Sequence, residues 1–432
     1  MALHTSPVDR TAATGAVAPG LASHAPLGPG AFVALCAALM AMNALAIDIM
    51  LPGLPHIAHE LGVDAPNERQ AVITAYLLGF GFGQFLAGPL SDRFGRRTVL
   101  LVGLVMYAAG AGLCALAPDF DLLLAARAAQ GLGAAAPRVI VTAVIRDCYA
   151  GRAMARVTSL AMMTFMAAPV IAPTLGQVIL LLGPWRIIFA VLALYAALVL
   201  LYAGLRLPET LPPERRRTLR PSALARGVGS VLRSRQTVGY ALASGVFFGA
   251  LFGFIGSAQQ IMAELYGLGP WFPIAFAGVA LAMAASAFLN SRLVERFGMR
   301  LLSHGAVLAF AALSAVLAGL ALTGQPPVWA FMGLICGAMM LVGMVFSNFN
   351  ALAMEPQGAV AGLASSMIGG VTTLIGASVG YGIGQAYDGT VLPLALGYLF
   401  CGAGAAAVIL LTEGGMFGRG GGVATSGRAP AE

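Results

Sequence analysis

The stretch Gly88-Pro89-Leu90-Ser91-Asp92-Arg93-Phe94-Gly95-Arg96-Arg97-Thr98-Val99-Leu100 gathers one acid and three arginines between two long uncharged runs. Tyr76 to Leu90 and Val99 to Ala117 carry no charged residue. A charge-dense turn between two membrane-length apolar runs is a helix reversal at a water interface. Short loops rich in Arg stay on the cytoplasmic side, so this turn is expected to face the cytoplasm.

Working outward, the chain of 432 residues is 59% hydrophobic and only 9% charged, whereas about a quarter of residues in soluble domains carry charge. The chain is a multi-span membrane protein by composition. Taking about 20 apolar residues per crossing, twelve spans fall at 31–54, 70–91, 98–118, 121–145, 156–182, 185–206, 236–263, 271–291, 300–322, 327–353, 359–386 and 391–412. All are expected to be helices, because an open strand cannot satisfy its backbone in lipid. Residues 1–30 and 413–432, rich in small and Gly/Pro residues, are expected to be disordered tails. The segment 207–235, with its run of arginines, reads as a linker between a first half (31–206) and a second (236–412), its charge facing lipid headgroups. With both termini cytoplasmic, Arg93, Arg96, Arg97, Arg146, Arg152, Arg156, Arg292, Arg296 and Arg300 all fall in inner loops, and only Arg69 and Arg186 fall outside.

The net charge of +7 is explained by this topology, so nucleic acid is not an expected partner. Cys36, Cys114, Cys148, Cys336 and Cys401 show no paired spacing, which argues against a disulfide framework or zinc site. His56 and His59 share a helical spacing but have no third ligand nearby, and they read as residues of the outer loop after the first span. No metal and no cofactor is expected. Gly79-x-Gly81-x-Gly83 follows no strand and no Walker pattern occurs, so ATP is not an apparent energy source. Gly79 with Gly83, and Gly376 with Gly380 and Gly384, are spaced by four and offer flat ridges to a neighbouring backbone.

Polar groups inside the spans are the functional candidates. Asp48 is the one acid well inside the first span. A carboxylate at mid-membrane costs about 2.5 to 3.5 kcal/mol on insertion scales, so it survives in a cavity, paired or protonated. The alternative is a solvated acid near the outer helix end, which Pro52 and Pro55 allow. In the fourth span Arg127 and Arg138 fall within about 20° of one helix face, roughly 16 Å apart. Arg127 is the candidate partner or competitor of Asp48. Asn43, Tyr76, Gln84, Gln130, Arg138, Gln259 and Asn348 are candidates to line a central cavity or tie helices together. Pro169 and Pro173, one turn apart in the fifth span, each remove a backbone hydrogen bond and bend the helix.

The pattern Gly88-x-x-x-Asp92-Arg93-x-Gly95-Arg96-Arg97 resembles the signature loop between helices two and three of the major facilitator superfamily. A weaker copy, Glu295-Arg296-Phe297-Gly298-Met299-Arg300, lies 203 residues later, as a duplicated half would require. Asp48-x-x-Leu51-Pro52-x-Leu54-Pro55, Arg127-x-x-Gln130-Gly131, and Ala168-Pro169 to Gly176 resemble, in turn, the first-helix motif of the bicyclomycin-resistance (Bcr/CflA) drug antiporters, the fourth-helix motif of proton-coupled members and the antiporter motif. The resemblance implies twelve transmembrane helices in two pseudo-symmetric six-helix halves, with no enzymatic activity. It also implies proton-driven export of small apolar or cationic compounds across a bacterial inner membrane by a monomer. Asp48 and Arg127 would couple protons, while Gly88, Asp92, Arg93, Gly95, Arg96, Arg97 and Asp147 would form a conformational switch. Asp92 would lie against the start of the eleventh helix near Gly358 to Gly362, and Asp147 near one of the three loop arginines. Uptake or exchange of a metabolite, and a non-transporting receptor or scaffold, are the competing functions.

Overall fold

The computed structural model describes residues 27–216 and 221–416. Within them every regular element is helical, and twelve helical runs are long and apolar enough to cross a membrane. The expected tails fall largely outside the described residues.

The first run is α1 (Pro29–Asp48), a 3-10 turn (Leu51–Gly53) and α2 (Leu54–Glu60). The break after Asp48 has a local cause, since Pro52 has no N–H to continue the helical ladder. The expected span stopped at residue 54, whereas the helical run continues to Glu60. His56 and His59 therefore stand on α2 rather than in a loop, because Pro55 at the first turn starts a new helix instead of ending one. The remaining spans of the first half are α3 (Ala71–Phe94), α4 (Arg96–Leu116), α5 (Phe120–Cys148), α6 (Gly151–Leu182) and α7 (Arg186–Arg206). Asp119 caps α5 by accepting from Leu122 N at 2.8 Å.

The linker contains a helix, α8 (Pro221–Arg233). One residue later α9 (Arg235–Ala258) begins, with Ser234 as its N-cap accepting from Thr237 N, and it ends in a π-helical stretch, Gln259–Leu265. Then come α10 (Phe272–Phe297), α11 (Met299–Thr323), α12 (Val328–Met354), α13 (Ala361–Gln385) and α14 (Leu392–Glu413).

The same pairings recur before and after the linker. In the first set α1 packs on α6, α3 on α5, and α4 on both α5 and α7. Their counterparts are α9 on α13, α10 on α12, and α11 on both α12 and α14. The most extensive helix–helix packing between the halves is that of α3 with α13 and of α6 with α10. The glycine ridges serve this packing. A Cβ at Gly79 would meet the carbonyl of Ala128 on α5 at 2.0 Å, so only glycine lets those backbones touch.

Candidate transport site and switch

Asp48 is 3% exposed, and its Oδ1 has no hydrogen-bond partner among the described residues. Arg127, fully buried, lies close by but is held by other groups. Its Nη2 donates to Ala46 O (3.1 Å), its Nε to Val72 O (3.1 Å) and its Nη1 to Gln130 Oε1 (2.8 Å). Its guanidinium also stacks 4.5 Å from the Tyr76 ring centre and 5.6 Å from that of Phe189. The expected direct pairing of Arg127 with Asp48 is not among the ion pairs of the described residues. Two carbonyls, an amide and two π faces meet the demands of the planar guanidinium instead.

Because one guanidinium spans Ala46 O and Val72 O, Asp48 stands level with the first turn of α3. Arg127 is likewise only two turns from the start of α5. Asp48 thus lies toward the bundle end that carries Arg69, not at mid-bundle as expected, yet it is sealed from solvent rather than solvated.

The helix α6, which carries Pro169 and Pro173, does the sealing. Ala168 packs on Ala41 and Ala44 of α1. Further along, a Cβ on Gly176 would fall 1.8 Å from the carbonyl oxygen of Ile49, the residue after Asp48. Glycine at 176 is what allows α6 to close over the break in α1, and Pro169 and Pro173 shape the same helix just before that contact. The Pro169–Gly176 stretch therefore builds the wall of the acid site on a helix that also packs against α10 of the other half.

Most residues expected to line a cavity are buried and tie helices together. Tyr76 donates to Asn43 Oδ1 (2.8 Å), Gln84 donates to Thr373 Oγ1 across the halves (2.9 Å), and Asn348 donates to Asn290 Oδ1 (2.7 Å). Gln130, fully buried, is occupied by Arg127. Gln259 is also buried, in the π-helical stretch. Tyr76, Gln84 and Asn348 thus take the second of the two roles expected of them, tying helices together, while Gln130 is held by Arg127 within α5 and Gln259 keeps a buried Oε1 without a partner among the described residues. Asn43 and Arg138 are the two that remain half-exposed.

At the opposite bundle end the signature loop forms a charge cluster. Buried Arg96 donates to Asp92 Oδ1 (2.6 Å), Ser91 Oγ (2.7 Å) and Asp147 Oδ2 (3.2 Å). Of the three loop arginines considered for Asp147, Arg96 is the one it meets. Asp92 Oδ2 lies 3.8 Å from where a Cβ on Gly362 would stand, at the first turn of α13. There the backbone N–H groups offer partial positive charge. Gly88 is equally confined, since a Cβ would lie 2.1 Å from Ser366 Oγ on α13. Arg93 is not in the cluster; it is exposed and lies over the Phe94 ring.

Glu209, in the linker, was not singled out by the sequence. Its carboxylate accepts from Arg96 N (2.8 Å) and Arg97 N (3.3 Å), capping α4 from outside. Gly95 has φ +96°, and a Cβ there would meet Glu209 Oε2 at 2.1 Å, so glycine is required twice over. Arg97 in turn donates to Leu207 O (2.8 Å) and Gly204 O (2.6 Å), fastening the end of α7. The second-half copy keeps the turn glycine, Gly298 at φ +76°, and an arginine fastened to the end of the last helix of its half. Arg300 pairs with Glu413 at 3.0 Å, while Met299 stands where Arg96 would be and Glu295 is exposed.

The Arg69 end is closed by contacts between the halves that sequence reasoning also missed. Arg69 Nη2 donates to both carboxylate oxygens of Glu264 (2.8 and 2.9 Å). Gln70 bonds Gln260 Oε1 and Gly384 O, while Gln260 also donates to Asn67 Oδ1 (2.8 Å). Asn67 donates to Gln385 O and Tyr387 O, and Gln385 donates back to Asn67 O. The only available sequence signal was an arginine in a loop otherwise poor in them.

Twelve spans in two similarly packed sets, with a buried acid that has no ion-pair partner among the described residues next to one sealed end and a charge cluster at the other, are the build of a membrane transporter. The chain belongs to the Major Facilitator Superfamily, whose family model matches residues 34–381. It is a multi-pass transporter of small molecules rather than an enzyme. It is 35% identical to the Uncharacterized MFS-type transporter YdgK of Bacillus subtilis, over 79% of this chain and 85% of that protein. It is 31% identical to the Bicyclomycin resistance protein homolog of Haemophilus influenzae, over 81% and 87%. In fold it is similar to the xylose transporter XylE from E. coli, with a TM-score of 0.67 at 14% identity, covering 89% of this chain and 96% of that one.

Proposed function

We propose that this protein exports small apolar or cationic compounds from the cytoplasm in exchange for protons, across a bacterial inner membrane. The observation that carries the reading is Asp48, a buried acid with no ion-pair partner among the described residues, at a helix break that α6 closes over. An unpaired buried carboxylate is costly when charged and cheap when protonated, so a group so placed can alternate between the two as access alternates. A relative associated by name with bicyclomycin resistance supports drugs as the substrate class.

The arginine bias supports an orientation with the Arg96 end and both termini in the cytoplasm and the Arg69 end outside. The conformation described is then closed to the outside by the Arg69–Glu264 and Gln70–Gln260 contacts. Asp48 lies just beneath that seal. Opening the outer end would admit a proton to Asp48 and release substrate, and closing it would return the proton inward while substrate re-enters. Arg127 holds α1, α3 and α5 together beside the acid, and its charge disfavours cationic ligands unless Asp48 is ionised. Differential binding of proton and substrate to the two states drives the cycle.

Everted membrane vesicles carrying an internal acid load test the exchange. Addition of a transported compound is expected to release protons from the vesicle lumen and to concentrate the compound inside. Proton movement into the same compartment as the compound would instead mean symport, and no movement with any cationic or apolar drug would remove the proposal.

A further inference from the structure

The helix in the linker has chemistry that the transport cycle does not use. In α8, Leu224, Val228, Val231 and Leu232 fall within an arc of about 100°, while Arg226 and Arg233 fall on the far side. The helix contains no acid. One edge of the apolar arc is occupied by the protein itself. Val231 is 3% exposed, and Gly227 sits so close to α13 that a Cβ would lie 2.6 Å from the Leu363 side chain. The other edge is open, with Leu232 61% exposed and Leu224 also exposed. Arg226 and Arg233 are exposed as well.

What covers the open edge follows from continuity. Only Ser234 separates α8 from α9, and α9 is a membrane span whose first residue is Arg235. The end of α8 is therefore held at the level where the bilayer surface begins. A short helix with leucines on one edge and only positive charge on the other matches a surface that is apolar below and anionic above.

We infer that α8 is an interfacial helix that docks on the anionic headgroup layer of the bilayer. Leu224, Val228 and Leu232 enter the acyl boundary, and Arg226 and Arg233 engage lipid phosphates. Docking has a second effect, because the partner of Gly227 is Leu363, the neighbour of Gly362 against which Asp92 rests. Lipid held by α8 thus bears on the first turn of α13, at the switch. The inference stands on α9 being a span and does not depend on substrate or proton coupling.

The test uses the full chain in vesicles of phosphatidylcholine alone or with phosphatidylglycerol, carrying a nitroxide at Leu232→Cys. The unsubstituted chain serves as the labelling blank, since four of its five cysteines are buried. With phosphatidylglycerol the label should be relaxed by oxygen and shielded from a water-soluble nickel chelate. In phosphatidylcholine alone, or with Arg226→Gln plus Arg233→Gln, the docked fraction relative to undocked should fall by about fivefold per arginine lost. Leu224→Cys provides a second reporter on the same edge should the first disturb packing. A label exposed to nickel in every lipid, one shielded from both relaxants, or one reporting equal docking with and without phosphatidylglycerol would each overturn the inference.

Discussion

Replacing Glu264 by Gln should unlock the outer end of the bundle without unfolding it. Arg69 is 8% exposed in its side chain and Glu264 47%, so the pair lies at the rim of the seal, half in water. A charge-assisted hydrogen bond between buried groups contributes about 1.5 to 3 kcal/mol, and exposure of the carboxylate lowers this to about 1 kcal/mol by solvent screening. The isosteric amide keeps an acceptor for Arg69 and removes only the charge. Since 1.4 kcal/mol is tenfold, the ratio of outward-open to outward-closed molecules should rise about fivefold. The distance between spin labels at Asp64→Cys and Asp388→Cys, both exposed at that end and on opposite halves, reads the ratio directly by pulsed electron resonance. Glu264→Gln should enlarge the long-distance population, and the exchanged pair Arg69→Glu with Glu264→Arg should reduce it again. An unchanged distance distribution in the single variant would mean that the pair does not hold the halves together.

Other perturbations reach other parts of the account. Glu209→Ala removes the cap of α4 and should cost about 0.5 to 2 kcal/mol, seen as a lower unfolding midpoint in detergent; an unchanged midpoint would show that Arg96 N and Arg97 N are satisfied without it. Gly176→Val cannot be fitted beside the Ile49 carbonyl and should abolish transport even where the protein reaches the membrane, whereas retained transport would mean that α6 need not close over the α1 break. Arg96→Asp and Asp147→Arg should each lose transport and recover a part of it when combined. The recovery should be incomplete, because Arg96 also serves Asp92 and Ser91, and a combined variant no better than either single change would count against the Arg96–Asp147 contact as a working one.

The twelve spans were legible because lipid leaves the backbone few options, and length with apolarity then suffices to find a helix. Asp48 and Arg127 were legible as polar residues in apolar runs, for the same reason. Their relation was not, since the sequence pairs opposite charges by sign, while the fold gives Arg127 two carbonyls, Gln130 and two rings. The level of Asp48 was misjudged because α1 ends at Asp48, so the acid stands at the end of its helix rather than inside one continuous helix running on to residue 54. Arg96 with Asp147 came from charge balance in a short loop. Glu209 and Glu264 were invisible, because their partners lie 113 and 195 residues away and no periodicity records such distances. The linker helix was hidden by its arginines, which fit a solvated connector as well as one face of α8.

The measurement nearest the centre of the account is uphill transport by Asp48→Asn in proteoliposomes with an imposed pH gradient. The amide fills the same buried site but cannot exchange a proton. The variant should still equilibrate substrate by counterflow, yet neither concentrate it nor move protons when it is added. Accumulation against the gradient with undiminished proton release would contradict it and place the coupling group elsewhere in the chain.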